Sequence, residues 1–222
     1  MNASTLNTHI TAAAAELNLD LDSTQIHALT EYALLLHKWN AAYNLSAFKT
    51  LSDIVIKHIF DCMAVVQPIT ERLSLYPLSQ RKMLDVGTGA GLPGIVLAIC
   101  VPNIEITMLD AVQKKILFIK QAIGTLRLYN AQAHGVRIQD WQGIYSVITA
   151  RAWTALADIA LLTEHCIQDN GCIAAMKGPR LLLEAENLPN NWQIKAIHTM
   201  TVPHLNEARS LAFLERITTI KY

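Results

Sequence analysis

The stretch Met83-Leu84-Asp85-Val86-Gly87-Thr88-Gly89-Ala90-Gly91-Leu92-Pro93-Gly94-Ile95 decides how this chain of 222 residues folds. It reads as an apolar strand that ends in an acid, three glycines at alternate positions, and a helix that opens behind them. Alternating glycines let the backbone turn sharply and let a ligand lie against the main chain, where a Cβ atom would clash. The pattern predicts a ligand-binding loop between a strand and a helix, and a plain glycine-rich turn is the alternative.

The spacing of the glycines discriminates between classes of ligand. Dinucleotide-binding folds use G-x-G-x-x-G, with the pyrophosphate on the helix N-terminus. Here the pattern is D-x-G-x-G-x-G, and the strand acid favours a cationic ligand over a phosphate. The pattern resembles motif I of S-adenosylmethionine (SAM) methyltransferases, whose ligand carries an amino-acid head and a sulfonium. The predicted cofactor contacts in the loop are Asp85, Gly87, Gly89, Gly91 and Leu92.

A second acid follows at the distance that a nucleoside ligand requires. Glu105–Asp110 reads as a strand that ends in an acid, about twenty residues beyond the glycines. In a βαβ unit this acid projects from the neighbouring strand and can accept both ribose hydroxyls. Asp110 is alternatively only the N-cap of a helix that starts near Val112. The pairing with the glycine loop favours the ribose role.

The order of predicted elements indicates an α/β fold. From Lys82 onward strands alternate with helices, which predicts a doubly wound parallel sheet, Rossmann-like in architecture. The tail instead predicts an antiparallel edge pair, Trp192–Val202 with Ser210–Thr219. The parallel strands are predicted near 82–86, 105–110, 131–134, 145–150 and 172–177.

The first third of the chain reads as helical. Asp22-Ser23-Thr24 caps a long amphipathic helix. Thr50-Leu51-Ser52-Asp53 is a capping box that opens a second helix, which Pro68 is predicted to end. We therefore predict two parts, an N-terminal helical extension over residues 1–78 and a SAM-binding domain over residues 79–222.

Composition restricts the class of partner and compartment. Lys and Arg together equal Asp and Glu, 18 each, so any RNA contact must come from a local basic patch. The four cysteines form no C-x-x-C pattern and lie in apolar contexts, which predicts buried free thiols and no metal site. A basic leader and a bilayer-length apolar run are both missing from the sequence, so we predict a cytoplasmic protein with no membrane contact.

Residues that follow the later strands supply the remaining site candidates. Ile138 and Gln139, after the third strand, suit an adenine, although a solvated loop is equally compatible. After the fourth strand the chain lacks N-P-P-Y, which grips exocyclic amino groups, and lacks the Pro-Cys nucleophile of carbon-5 enzymes. Arg151 instead offers a planar donor fork at the site, or else a salt bridge. Lys177 ends the fifth strand and adds a second cation.

The helical segment carries a mixture of side chains that suits RNA. His37-Lys38-Trp39-Asn40 and Tyr43-Asn44-Leu45 combine aromatic, amide and cationic groups near one helix end. Trp39 and Tyr43 are, individually, also ordinary core candidates. On the second helix Lys57 and Asp61 read as an i,i+4 pair, and His58 reads as a core histidine with its hydrogen bonds satisfied.

Together these residues resemble the bacterial 16S rRNA guanine-N7 methyltransferases, the RsmG or GidB family, over nearly the whole chain. The H-K-W-N…Y-N-L segment makes the resemblance specific, because the general SAM fold lacks it. The motifs are His37–Asn40, Tyr43–Leu45, Lys57–Asp61, Asp85–Ile95, Arg151-Ala152 and Lys177-Gly178.

The resemblance implies a SAM-dependent enzyme that methylates a guanine in the 530 loop of 16S rRNA, within the small ribosomal subunit or its precursor. Arg151 and Lys177 would be catalytic, and Ile138, Gln139 and Arg151 would join the glycine loop around SAM. The implied substrate contacts are Lys38, Trp39, Asn40, Tyr43, Asn44, Lys57, His58 and Asp61.

Three departures from the family pattern stand out. Ala90 replaces a proline, Gln139 replaces a common glutamate, and Lys57 and Cys62 replace the arginine and serine of R-H-x-x-D-S. The alternatives are a SAM enzyme with another RNA, protein or small-molecule substrate, a Rossmann dehydrogenase, and a non-catalytic SAM- or RNA-binding factor.

Overall fold

The computed structural model describes residues 2–217 and contains a seven-stranded sheet. The strands run in the order β3-β2-β1-β4-β5-β7-β6; β1 to β5 are parallel, and β7 lies antiparallel between β5 and β6. This confirms the predicted α/β class and the antiparallel edge pair. The strands are β1 Lys82–Val86, β2 Glu105–Leu109, β3 Ala131–His134, β4 Tyr145–Arg151, β5 Ile167–Lys177, β6 Trp192–Met200 and β7 Arg209–Arg216.

Helices cover both faces of the sheet. They are α1 Ala3–Glu16, α2 Ser23–Tyr43, α3 Leu51–Ile54, α4 Asp61–Met63, α5 Val66–Ser74, α6 Gly94–Cys100, α7 Gln113–Leu126, α8 Leu156–Thr163 and α9 Leu181–Ala185. A π-helix, Val55–Phe60, joins α3 to α4 without a break. Short 3₁₀ turns lie at Leu78–Gln80, Ile138–Asp140 and Glu164–Cys166.

Strand alternation divides the core into two hydrophobic clusters. Met83 faces one cluster, and its strand neighbour Leu84 faces the other, because successive side chains of a strand point to opposite faces. The helical segment is not separate from the sheet in packing: Leu6 and Tyr32 belong to the same cluster as Met83. The division between residues 78 and 79 stays a prediction.

The topology decides where a ligand can bind. From β1 the chain continues outward to β2 and β3, whereas β4 and β5 lie on the other side of β1. The carboxyl ends of β1 and β4 therefore flank the point where the strand order reverses, the position at which open α/β sheets bind ligands. The glycine loop follows β1, and Arg151 ends β4.

Several boundaries differ from the predicted ones. Asp22 and Thr50 cap helices as predicted, but Pro68 does not end one: it lies in the first turn of α5, where a missing N–H costs nothing. α1 was not predicted. β5 begins at Ile167, earlier than residue 172, and the predicted strand end at Thr218-Thr219 lies outside the described residues. Over residues 2–217 no helix has the length and apolar character to cross a bilayer.

Candidate active site

The three loop glycines adopt a backbone conformation that other residues avoid. Their φ angles are +65° at Gly87, +63° at Gly89 and +88° at Gly91. A Cβ on Gly87 would lie 2.3 Å from Cδ1 of Trp153, whereas a Cβ on Gly89 would enter open space. The loop is thus shaped by close packing on one side and leaves room for a ligand on the other.

Asp85 forms hydrogen bonds with the loop on its buried side. Its side chain is fully buried, and Oδ2 accepts hydrogen bonds from Thr88 Oγ1 at 2.5 Å and from the Gly94 amide at 2.8 Å. Burial raises the pKa of this carboxyl to about 7. Oδ1 is buried and has no hydrogen-bond partner among the described residues. Contact between Asp85 and a cationic ligand stays a prediction.

Asp110 links the second strand to the glycine loop. Oδ2 accepts from the Gly89 amide at 3.0 Å and from Lys115 Nζ at 3.2 Å, and Oδ1 accepts from the Val112 amide at 2.9 Å. The N-cap residue of α7 is Val112, so Asp110 precedes the helix and does not cap it. Its carboxylate lies at the ligand side of the sheet, where the predicted ribose contact requires it.

A cavity of about 230 Å³ opens beside the loop, and we call it the glycine-loop cavity. Its apolar walls and single acid suit an adenosine without phosphate. Of the five loop residues predicted to contact the cofactor, only Gly87 lines this cavity. Asp85 and Leu92 are buried, a Cβ on Gly91 would meet Ile95, and the contact of Gly89 stays a prediction. The lining residues are Val86, Gly87, Leu109, Asp110, Ala111, Val136, Arg137, Ile138, Gln139 and Trp153.

A second cavity, of about 710 Å³, lies between the helical segment and the ends of β4, β5 and β7, and we call it the arginine cavity. It brings together five predicted residues from three parts of the chain. These are Lys57, His58, Asp61, Arg151 and Lys177, joined by Phe48, Ala152, Trp153, Thr154, Met176, Gly178, Pro179, Arg180, Glu184 and Arg209.

Asp61 is the anionic centre of the arginine cavity. Its Oδ2 lies 3.2 Å from Arg151 Nη1, and its Oδ1 lies 3.3 Å from Arg209 Nε. The expected i,i+4 pair with Lys57 is absent: Lys57 Nζ lies 3.8 Å from Glu207 instead. The intervening π-helix widens the turn, which changes the relative direction of the two side chains. Arg151 is therefore both a cavity residue and a salt-bridge partner.

His58 is buried and fixes Arg151 from a second direction. Burial, followed by the positive charge of Arg151, lowers the pKa of His58 to about 3, so the ring is neutral. Nδ1 lies 3.1 Å from Arg151 Nη2 and 3.1 Å from the Lys57 carbonyl. Because arginine only donates, Nδ1 accepts in the contact with Arg151, and the ring then donates no hydrogen bond to that carbonyl. Nε2 then carries the proton and donates to Ser46 Oγ at 2.7 Å. This histidine is satisfied, as predicted.

Lys177 is likewise paired inside the protein. Nζ donates to the Thr154 carbonyl at 2.6 Å and to Glu184 Oε2 at 2.7 Å. It therefore ties the end of β5 to the loop after β4 and to α9. A direct role in the reaction stays a prediction.

The substrate contacts predicted at the end of α2 line neither cavity. Asn40 is 1% exposed, and its amide bonds to the Phe48 carbonyl and the Ser46 amide, so it supports the loop that carries Phe48. Trp39 packs against Tyr43 at 5.0 Å and against Phe118 of α7 at 5.6 Å between ring centroids. Lys38, Tyr43 and Asn44 are exposed, and their contact with substrate stays a prediction.

Comparison with known proteins supports the resemblance. A family model described as rRNA small subunit methyltransferase G matches residues 25–212. The chain belongs to this family. It is 41% identical over 206 residues to the ribosomal RNA small subunit methyltransferase G of Ralstonia nicotianae, covering 91% of this chain and 92% of the relative. The Psychrobacter cryohalolentis protein of the same name is 40% identical, covering 93% and 83%.

Solved structures share the fold of this rRNA small subunit methyltransferase G family member. TrmN from Thermus thermophilus has a TM-score of 0.55 at 14% identity, covering 69% of this chain and 48% of TrmN. A ribosomal protein L11 methylase from Lactobacillus delbrueckii has a TM-score of 0.51 at 15% identity, covering 69% and 79%. At such identity the likeness concerns the fold alone.

Trp153 and Arg209 line the site of this family member and were missed from the sequence. Ala152 has φ +49°, a left-handed conformation rare in residues with a side chain, and Trp153 follows it directly. Trp153 is half-buried and lines both cavities. Its place directly after Arg151-Ala152 was the available signal for it. Arg209 has no local sequence signal.

Proposed function

We propose that the protein transfers a methyl group from SAM to N7 of a guanine in 16S rRNA of the small ribosomal subunit, in the cytoplasm. The observation that carries the proposal is the junction of two cavities at Trp153 in a member of the rRNA small subunit methyltransferase G family. The glycine-loop cavity suits the cofactor, and the larger arginine cavity suits a purine nucleotide that has been turned out of its stack.

The choice of N7 agrees with the chemistry of the lining groups. SAM supplies an electrophilic methyl on its sulfonium. Guanine N7 has a free lone pair at neutral pH, so the protein needs no general base and no covalent nucleophile. His58 is neutral, and its Nδ1 lone pair is engaged by Arg151. Burial raises the pKa of Cys62 and raises that of Cys172 to about 11, so neither thiol is activated.

The contribution of the chain is then placement and electrostatics. Trp153 offers an aromatic surface at the boundary of the two cavities, where the base and the methyl donor must meet. Methylation at N7 makes the purine a cation, and an aromatic face attracts a cation that lies over it. Stacking on Trp153 would therefore stabilise the developing charge as well as orient the ring. Asp61 and His58 hold Arg151 beside that position.

The test is methyl transfer to small subunits from a strain that lacks this enzyme. Purified protein and tritiated SAM are expected to label one guanine, which chain cleavage at N7-methylguanine would locate in the 530 loop. Label in a protein or small molecule would support another SAM enzyme. Cofactor binding without label on any substrate would indicate a non-catalytic factor. Either result would reject the proposal.

Changing Trp153 separates stacking from simple packing. Trp153→Leu is expected to lower the single-turnover rate at saturating SAM by about 5- to 150-fold, since base–aromatic stacking contributes about 1–3 kcal/mol. Trp153→Phe keeps an aromatic plane and is the matched control, expected to retain most of the rate. Equal losses in both variants, with unchanged thermal unfolding, would show that stacking on this side chain does not contribute.

A further inference from the structure

The positive charge of this neutral chain is concentrated in one segment. From Ala111 to Gln139 there are three lysines and two arginines and no aspartate or glutamate, although the whole chain has 18 of each sign. The segment comprises α7, β3 and the loop that enters the glycine-loop cavity. Such an imbalance within a balanced chain marks a local electrostatic surface.

Lys115 of this segment pairs with Asp110, but the other cations have no acidic partner within residues 2–217, in contrast to most of those in the arginine cavity. Lys114, Lys120 and Arg127 are exposed, and no acid of residues 2–217 lies within salt-bridge distance of them. In the arginine cavity four of the five cations, Lys57, Arg151, Lys177 and Arg209, pair with acids. The fifth, Arg180, is exposed and has no acidic partner within residues 2–217. Paired cations attract a polyanion less strongly than unpaired ones, so unpaired cations outside this cavity are expected to add to the attraction.

The position of the free cations suits a strand of RNA that leaves the site. α7 begins directly after β2, at the ligand side of the sheet, and packs along the edge strand β3. Lys114 lies in the first turn of α7, and Arg127 caps its end. The helix therefore spreads the three cations over about 20 Å, at 1.5 Å per residue. Arg137, at the wall of the glycine-loop cavity, is a further exposed cation of the segment.

We propose that Lys114, Lys120 and Arg127, the α7 basic surface, bind the phosphate backbone of the rRNA beside the target nucleotide. The inference rests on the proposed function. Flexible lysines act as point charges that position a backbone without reading its bases. Specific recognition is then left to the arginine cavity, and α7 supplies the salt-dependent part of the affinity.

The test measures binding of small subunits, and of protein-free 16S rRNA, as a function of salt. The variant Lys114→Gln/Lys120→Gln/Arg127→Gln is expected to bind subunits and free rRNA more weakly than the wild type. It should also reduce the slope of log K against log salt by about 2 to 3, since each lost phosphate contact removes about 0.7 to 0.9. Its affinity for SAM is expected to be unchanged, because none of the three residues lines the glycine-loop cavity.

Lys195→Gln is the matched control for Lys120→Gln. Lys195 is exposed on β6, at the opposite edge of the sheet, and has no acidic partner within residues 2–217. It is expected to leave the salt slope unchanged. Equal effects of the two single variants would overturn the proposal, as would an unchanged slope in the triple variant.

Two further outcomes are separable. Weaker binding to intact subunits, with normal binding to protein-free rRNA, would also overturn the proposal and would indicate an acidic ribosomal protein as the partner of α7. If the wild-type protein bound rRNA but transferred no methyl group, the proposed function would fail. The salt slopes of the wild type and the triple variant would still show whether the α7 basic surface binds the rRNA.

Discussion

Gly87→Ala is expected to lower the methyl-transfer rate by about 100-fold or more while the protein remains folded. The added Cβ would lie 2.3 Å from Trp153, on a backbone with φ +65°, so the indole must move or the loop must change shape. Because Trp153 lines both cavities, either movement displaces cofactor and base relative to each other. A misplacement of about 1 Å is sufficient for a loss of this size. Single-turnover kinetics and calorimetry with SAM would measure it.

Gly124→Ala is the matched control for this substitution. Gly124 lies within α7, and a Cβ there would meet nothing within 4 Å. The change is expected to preserve the rate and to stabilise the protein by about 0.5–1 kcal/mol, because alanine loses less entropy in a helix. If the clash with Trp153 is the cause of the lower rate, Gly87→Ala should lower the rate by a smaller factor in a Trp153→Ala background. A decrease in rate by the same factor in both backgrounds would contradict this explanation.

Features with a local cause were predictable from the sequence. The acid and the alternating glycines lie within the seven successive residues Asp85–Gly91. The α/β alternation then brings Asp110 beside them. Asp22 and Thr50 cap their helices through bonds to residues three positions ahead. In each case the physical cause lies within one element or between neighbouring strands.

Features caused by distant packing were not predictable. Arg209 reaches Asp61 because β7 inserts antiparallel between β5 and β6, and no local pattern specifies that register. The π-helix changes the direction of Asp61 relative to Lys57, although the i,i+4 spacing of the two residues predicts a pair on an ordinary α-helix. The side chain of Asn40 is of a type that often contacts RNA, yet its amide forms hydrogen bonds with the backbone of Ser46 and Phe48.

Asp61→Ala is expected to lower the free energy of unfolding by about 3 kcal/mol, because removal of one partner leaves buried charge uncompensated. The Asp61 side chain is 5% exposed and lies between the guanidinium groups of Arg151 and Arg209, which are 17% and 24% exposed. Without the carboxylate, the two cations repel each other across the cavity. Urea unfolding at neutral pH would measure the change, and Arg151 would also lose the contact that fixes it beside the reaction site.

Glu207→Ala provides the comparison, because the same Arg209 also pairs with Glu207 at 2.7 Å. The Glu207 side chain is 53% exposed, so water can replace the lost contact and stability should change little. Asp61→Asn keeps the shape and one acceptor oxygen but not the charge, and it should fall between the two. Equal shifts of the urea midpoint for Asp61→Ala and Glu207→Ala would show that burial does not increase the contribution of Asp61 to stability. A larger loss for Asp61 alone would mean that this acid determines the arrangement of both arginines at the cavity.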